Sequence, residues 1–414
     1  MILAWRAGVI LVGVTVRLIG HRLNPPEEPS PPCLYSILIP LYCEAALIPQ
    51  IVAAMTALNW PANKLDIQLL IEADDCDTLN AARAIHLPSY INITSIPAGG
   101  PRTKPNALNY GLARARGAYV TVYDAEDLPD PDQLRTVHAA FQTASETTGC
   151  VQAPLIADNA EQTWLTAHWA LEYRVQFGLM LRGLSALRLP VLLGGTSNHF
   201  RTSDLVRLGG WDAWNVTEDA DLGIRLARAG LTCAYCPAPT TEDAPRRLSV
   251  WIAQRSRWIK GFLQTWLVLM RRPKQAYLEL GPIGFVSAQL SLIAAILAPL
   301  AFAPCLILVG LVSIIDPWQI GLVGKALIVF SLSVSLIGDL TAPGRWSLMR
   351  VTAMVTRPLY WPLHTLAAIR AVWELAKRPF FWAKTPHRPR QEKTYTSPCP
   401  TCSIGSSASA SPPD

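Results

Sequence analysis

Two acidic clusters in this 414-residue chain each close an apolar run, and that pairing restricts the fold more than any other feature. Glu72-Ala-Asp74-Asp75 follows the run at 67–71, and Asp124-Ala-Glu126-Asp127 follows the run at 119–123. Such runs predict buried strands, with the carboxylates at their C-terminal ends, where open α/β sheets bind ligands. A first strand at 35–41 and a helix at 44–58 begin an alternation that continues to about residue 150, which predicts a nucleotide-binding α/β domain.

Two more polar motifs follow. Thr217-Glu218-Asp219 stands before a helical pattern at 218–229 that Gly230 stops. Gln254-Arg255-Ser256-Arg257-Trp258 lies on a helical stretch, Leu248–Leu269, where spacings of three and four put Gln254, Arg257 and Trp258 on one face. A further helical pattern rich in aromatics covers 159–181. Carboxylates clustered in this way usually hold a divalent metal and a diphosphate, with one left over as a base. Asp124 and Glu126 can aim two carboxylates at one cation, with Asp127 as a further candidate ligand, and hard oxygens suit Mg²⁺ or Mn²⁺. Capping competes with these roles: Thr217 can cap the helix that follows it, and Asp127 can do the same before Leu128-Pro129.

The order of the four motifs resembles the processive family 2 glycosyltransferases, which include cellulose and hyaluronan synthases. Gly100-Pro-Arg-Thr-Lys104-Pro-Asn-Ala-Leu-Asn109 and Gly194-Gly-Thr-Ser-Asn-His-Phe200 look like a bacterial cellulose-synthase-like branch. The resemblance spans roughly 35–261. It implies a GT-A type, Rossmann-like nucleotide-sugar-binding domain followed by helical membrane segments. It also implies inverting transfer from a UDP-sugar to a growing β-linked polysaccharide. By resemblance, Glu72, Asp74 and Asp75 contact uracil and ribose, although the family usually has Asp-Asp-Gly there. Lys104 and Asn109 belong to a stretch that lines the base pocket, where the Lys104 ammonium can pack over uracil or reach a phosphate; Thr217 and Glu218 are substrate-binding, and Asp219 is the general base. Arg257 is a diphosphate partner, Gln254 is a further substrate-binding residue, and Trp258 is the platform for the acceptor sugar. Ser197, Asn198 and His199 are candidates for the acceptor side, with His199 read as structural. Single-sugar transfer to a lipid is the alternative, because ceramide glucosyltransferases carry a similar last motif. A non-catalytic membrane scaffold is a third reading.

Half the residues are apolar and 16% are charged, against roughly 25% in soluble domains. The net charge of +6 lacks the basic and aromatic interleaving of a nucleic-acid-binding module, so the basic bias is read as membrane topology and no nucleic-acid partner is expected. Cys233-x-x-Cys236 and Cys399-x-x-Cys402 have zinc-like spacing, but free thiols in a reducing cytosol are the preferred reading.

The resulting partition is an N-terminal membrane anchor at 1–22, a cytosolic catalytic domain at 23–275, transmembrane and interfacial helices at 276–385, and a basic then disordered tail at 386–414. Within it, 23–34 is a Pro- and Glu-rich linker and 397–414 is Ser/Ala/Pro-rich. An interfacial helix and a cleaved signal peptide are the rivals to the anchor. Apolar stretches at 283–312 and 318–340 are long enough to span, while 351–375 carries Arg357, His364, Arg370 and Glu374. The catalytic domain and the basic segment at 377–393 should share the cytosolic face of a bacterial inner membrane. That requires an even number of crossings, so either one stretch lies at the interface or 283–312 breaks near Pro299 and Pro304. Export or regulatory subunits remain open.

Overall fold

The computed structural model describes residues 1–19, 31–97, 100–315 and 321–379. Most of the 23–34 linker, nearly all of the 377–393 basic segment, the 397–414 tail and Cys399-x-x-Cys402 lie outside the described residues.

In chain order the elements are α1 (Ile2–Ile19), β1 (Tyr35–Leu41), α2 (Ile48–Thr56), β2 (Leu65–Glu72), α3 (Cys76–Ala84), β3 (Ile91–Ile96), α4 (Lys104–Leu112) and β4 (Tyr119–Val122). Next come β5 (Leu128–Pro129), α5 (Gln133–Thr143), β6 (Thr148–Gln152), β7 (Leu155–Ala157), α6 (Trp164–Val175), α7 (Leu181–Ala186), β8 (Asn198–Arg201) and α8 (Thr202–Arg207). The last are α9 (Glu218–Arg228), β9 (Thr232–Tyr235), β10 (Thr240–Glu242), α10 (Leu248–Leu269), α11 (Pro273–Ile315), α12 (Leu322–Thr341), α13 (Leu348–Val355) and α14 (Arg357–Lys377).

Seven strands form a mixed sheet in the order β3-β2-β1-β4-β8-β6-β9. β3, β2, β1 and β4 run parallel, and β8 is antiparallel to both of its neighbours. Strand order reverses between β1 and β4, which opens a crevice at their C-terminal ends. Side chains alternate across the sheet, as a two-residue period requires. Ile37, Ile39, Ile67 and Leu69 share one core cluster with α2, α3 and α5, while Leu38, Leu70, Val120 and Val122 share another with α4, α6, α7, α9 and α10. A small second sheet, β5-β10-β7, ties the turn after β4 to the chain leading into α10.

The aromatic helix starts at Trp164 rather than 159, because Thr163 and Thr166 form a reciprocal capping box there. Asn159 instead brackets the backbone of Ala244, donating to its carbonyl and accepting from its N–H, both at 2.8 Å. A π-turn at Gln176–Met180 carries that helix on into α7.

Among the described residues three helices are long and apolar enough to cross a membrane: α1, α11 and α12. The 351–375 stretch is not among them. It divides into α13 and α14, and α14 buries Arg357, His364 and Glu374 against its neighbours. The chain bends at Gly281, whose φ of 68° is left-handed, and α11 remains helical past Pro299 and Pro304. The Thr365 hydroxyl enters that helix at Pro299, donating to its carbonyl at 2.6 Å and accepting from the Ala303 N–H at 3.0 Å.

Candidate active site

Lys104 is where the sequence motifs converge. Thr103 caps α4 by accepting from the Asn106 N–H at 3.4 Å, and Pro105 fits its first turn. Lys104 therefore stands at the first helical position, above the crevice between β1 and β4. Its ammonium lies 2.5 Å from Asp124 Oδ1 and donates to the Gly195 carbonyl at 2.7 Å. The side chain is only 12% exposed, which excludes an exposed-loop lysine. Burial disfavours the ammonium, but Asp124, Glu218 and Asp219 outweigh it and hold its pKa above the usual lysine value. Gly195 admits this approach, since a Cβ there would sit 3.3 Å from Asp219 Oδ2.

Glu218 and Asp219 open α9, where their charge complements the helix dipole. Asp219 Oδ1 accepts from the Ala220 N–H at 2.8 Å. Burial, and then the neighbouring Asp219, push the Glu218 carboxyl up to about 7; burial likewise raises Asp219. Thr217 occupies the cap position but makes no capping hydrogen bond, so the capping role expected for it is not what its hydroxyl does. Its Oγ1 faces Gly261 of α10, where a Cβ would lie 2.2 Å away.

That close approach joins the third and fourth motifs. Asn215 donates to Thr265 Oγ1 and accepts from the Thr217 N–H, both at 3.0 Å, and the Val216 N–H donates to Gln264 Oε1 at 3.3 Å. Arg257 donates to the Val216 carbonyl at 3.3 Å, and its charge bears on both Glu218 and Asp219. Gln254 Oε1 is buried and accepts no hydrogen bond from the described residues. Trp258 packs on Trp169 and Tyr173, with ring centroids 5.1 and 6.4 Å away.

On the β2 side, burial and then Asp74 raise the Glu72 pKa, while Asp74 pairs with Arg102. Arg102 and Trp214 border a cleft of about 160 Å³ that Thr103, Val216 and Glu218 also line. Arg102 could be suspected from its place two residues before Lys104. Trp214, Asn215 and Gly261 carry no local signal, because their roles depend on long-range contacts.

Several residues singled out from the sequence also hold backbone. Asp75 caps α3 through the Thr78 N–H at 3.2 Å and accepts from the Cys43 N–H at 2.5 Å. Asp127 leads into a strand rather than a helix, so it caps none; it accepts from the Asp124 N–H at 2.7 Å and from the Thr196 hydroxyl. Burial, with Asp124 next, raises its pKa strongly. Asn109 brackets Trp211, donating to its carbonyl at 2.7 Å and accepting from its N–H at 2.9 Å. Ser197, Asn198 and His199 are buried, so none of them offers a surface to an acceptor. His199 meets the Tyr35 hydroxyl at 2.7 Å and Gln133 Oε1 at 3.1 Å, and burial lowers its pKa to about 3.

Asp124 and the Gly195 carbonyl already converge on one cation, the Lys104 ammonium, and both donate hard oxygen. That chemistry fits Mg²⁺ or Mn²⁺ completed by phosphate oxygens of a bound ligand. Among the described residues no three His, Cys, Asp or Glu side chains form a ready-made cluster. Cys233 and Cys236 are buried free thiols.

Comparison with known proteins agrees with this geometry. The chain is 29% identical over 231 residues to a probable glycosyltransferase, YdaM, of Bacillus subtilis, covering 55% of this chain and 54% of that protein. It is 27% identical to the UDP-forming cellulose synthase catalytic subunit of Xanthomonas axonopodis (55% and 31% covered). It is 28% identical to the beta-monoglucosyldiacylglycerol synthase of Synechocystis (64% and 57% covered). The chain thus spans about half the length, or less, of these curated relatives. A mannosyltransferase from Pyrobaculum calidifontis, solved with GDP-Man and Mn²⁺, shares the fold with a TM-score of 0.57 at 20% identity, over 90% of this chain and 99% of that one. The mixed sheet is therefore a GT-A type glycosyltransferase fold, followed by long apolar helices that could span a membrane. Residues 31–261, more than half of the chain, match the profile described as glycosyltransferase like family 2, and the chain belongs to that family.

Proposed function

We propose that this chain transfers a sugar, with inversion, from a UDP-sugar onto a growing β-linked polysaccharide at the cytosolic face of a bacterial inner membrane. The observation that carries this reading is the convergence of Asp124, Glu218 and Asp219 on Lys104, beside a helix bearing Gln254, Arg257 and Trp258. Glu72 and Asp74 lie at the end of β2 to receive the base and ribose, with Arg102 beside them. Asp219, on the rigid start of α9, takes the proton from the acceptor hydroxyl. Arg257 and Lys104 face the diphosphate, Gln254 Oε1 accepts from a substrate hydroxyl, and Trp258 supports the acceptor sugar. Asp124, with Glu126, would hold Mg²⁺ or Mn²⁺, which neutralises the leaving diphosphate when bound. Asp75, Asp127 and Asn109 also brace the site through backbone hydrogen bonds.

The domain limits 1–22, 23–275, 276–385 and 386–414 belong to the same proposal. Two apolar helices, α11 and α12, separate the catalytic domain from α13 and α14. Two crossings return the chain to the face it left. Reporter fusions at about residue 150 and after residue 393 should then label from one side; opposite labelling contradicts it.

Single-sugar transfer to a lipid is the second reading. It is favoured by the match to the beta-monoglucosyldiacylglycerol synthase, which extends over 284 residues. Purified membranes supplied with a panel of UDP- and GDP-sugars, with products sized, decide between the two. A ladder of oligomers supports polymer synthesis, and a single glycolipid supports lipid glycosylation. Transfer from GDP-sugars alone contradicts the UDP assignment.

A further inference from the structure

Arg255 sits between Gln254 and Arg257 in sequence, yet it is engaged by a different set of groups. Its guanidinium carbon lies 4.2 Å from the ring centre of Trp169, 4.7 Å from Trp258 and 5.5 Å from Trp251. Its Nη2 donates to Glu172 Oε2 of α6 at 2.5 Å. The same carboxylate accepts from the Tyr360 hydroxyl at 3.0 Å and meets His364 Nε2 at 3.0 Å, both on α14. Tyr360 in turn accepts from Trp251 Nε1 at 2.9 Å. One carboxylate therefore joins three helices, and the cation it neutralises touches the ring proposed to carry the acceptor.

We infer that Arg255 and Glu172 are the positioning pair for Trp258. A planar guanidinium held among indole faces constrains their angle, which a point charge on a flexible stem does not. Trp258 is thereby fixed at 41° to Trp169 and 19° to Tyr173. The donor side is spared, since the charges acting on Glu218 and Asp219 come from Lys104 and Arg257. The inference rests on the acceptor role proposed for Trp258, and it adds the groups that set that ring.

Arg255→Lys and Glu172→Gln, made in the full chain in native membranes, test it with radiolabelled UDP-glucose, or whichever UDP-sugar the parent turns over. Two rates are read: label entering product, and UDP released to water. Positioning requires transfer to product to fall about 10- to 100-fold in both variants, with donor KM and hydrolysis close to the parent. Arg255→Lys is the discriminating variant, because it keeps the charge and the ion pair but not the plane. Transfer at the parental rate in Arg255→Lys overturns the inference, as does an equal loss of transfer and hydrolysis. A parent that turns over no UDP-sugar contradicts the proposed function instead.

Discussion

The crevice and the helix bundle behind it each hold partly or fully buried carboxylates, and they treat them in opposite ways. In the bundle Glu172 is satisfied by Arg255, Tyr360 and His364. Burial opposes its charge, but Arg255, His364 and Arg357 outweigh that and hold its pKa well below the usual carboxylate range. In the crevice Asp124, Glu218 and Asp219 share the Lys104 ammonium, and burial raises both Glu218 and Asp219. A carboxylate whose needs the protein meets is structural; one whose needs it leaves unmet is poised for a ligand.

The largest expected effect lies in the crevice. Asp219→Asn keeps the size of the side chain and removes the base, so turnover should fall about 10²–10⁴-fold while UDP still binds. Parental turnover would reassign the base. Next comes the bundle, where Glu172→Gln leaves a partly buried guanidinium without its counter-charge. Removing one partner of a fully buried pair costs about 3–5 kcal/mol; this pair is partly exposed, so a smaller but measurable loss of thermal stability is expected. Asp219→Asn should show no such loss, and equal destabilisation of the two variants would erase the contrast.

Gly261→Ala probes the contact between the regions. A Cβ would stand 2.2 Å from Thr217 Oγ1, so α10 or the start of α9 must shift. A cost of about 1–3 kcal/mol, with reduced transfer, is expected. A parental melting temperature and rate would show that the two motifs do not need that approach.

The smallest effect is in pH dependence. The free-enzyme profile of kcat/KM should have its acid limb above the usual carboxylate range, because burial raises Asp219. Stability should respond in the same window. Glu218 has a folded-state value of about 7 against 4.5, so its contribution is full below 4.5 and is lost as pH rises through about 7. Glu172 has a lowered value, so its contribution is present above 4.5 and lost only in strong acid. A Glu218→Gln variant whose melting temperature varies with pH as the parent's does would contradict this.

The sequence revealed the crevice more readily than the bundle. Apolar runs ending in carboxylates mark strand ends, and contacts through Arg102, Lys104 and Arg257 draw the four motifs together. Local pattern did not show that Asp75, Asp127 and Asn109 also hold backbone, because residue types that bind ligands are also those that cap helices and lock turns. The Lys104–Asp124 pair spans 20 positions and Arg255–Glu172 spans 83, so neither contact leaves a periodic trace. Boundaries shifted wherever a cap overrode periodicity, as at Trp164, and the 351–375 stretch proved to be packed helices with a buried polar face.

The most direct test of the poised crevice is calorimetric titration of UDP into the parent and Asp124→Asn, with Mn²⁺ present and with EDTA. Binding should require the cation and be lost or strongly weakened in Asp124→Asn. UDP binding of equal strength in EDTA, or undiminished in Asp124→Asn, would contradict it.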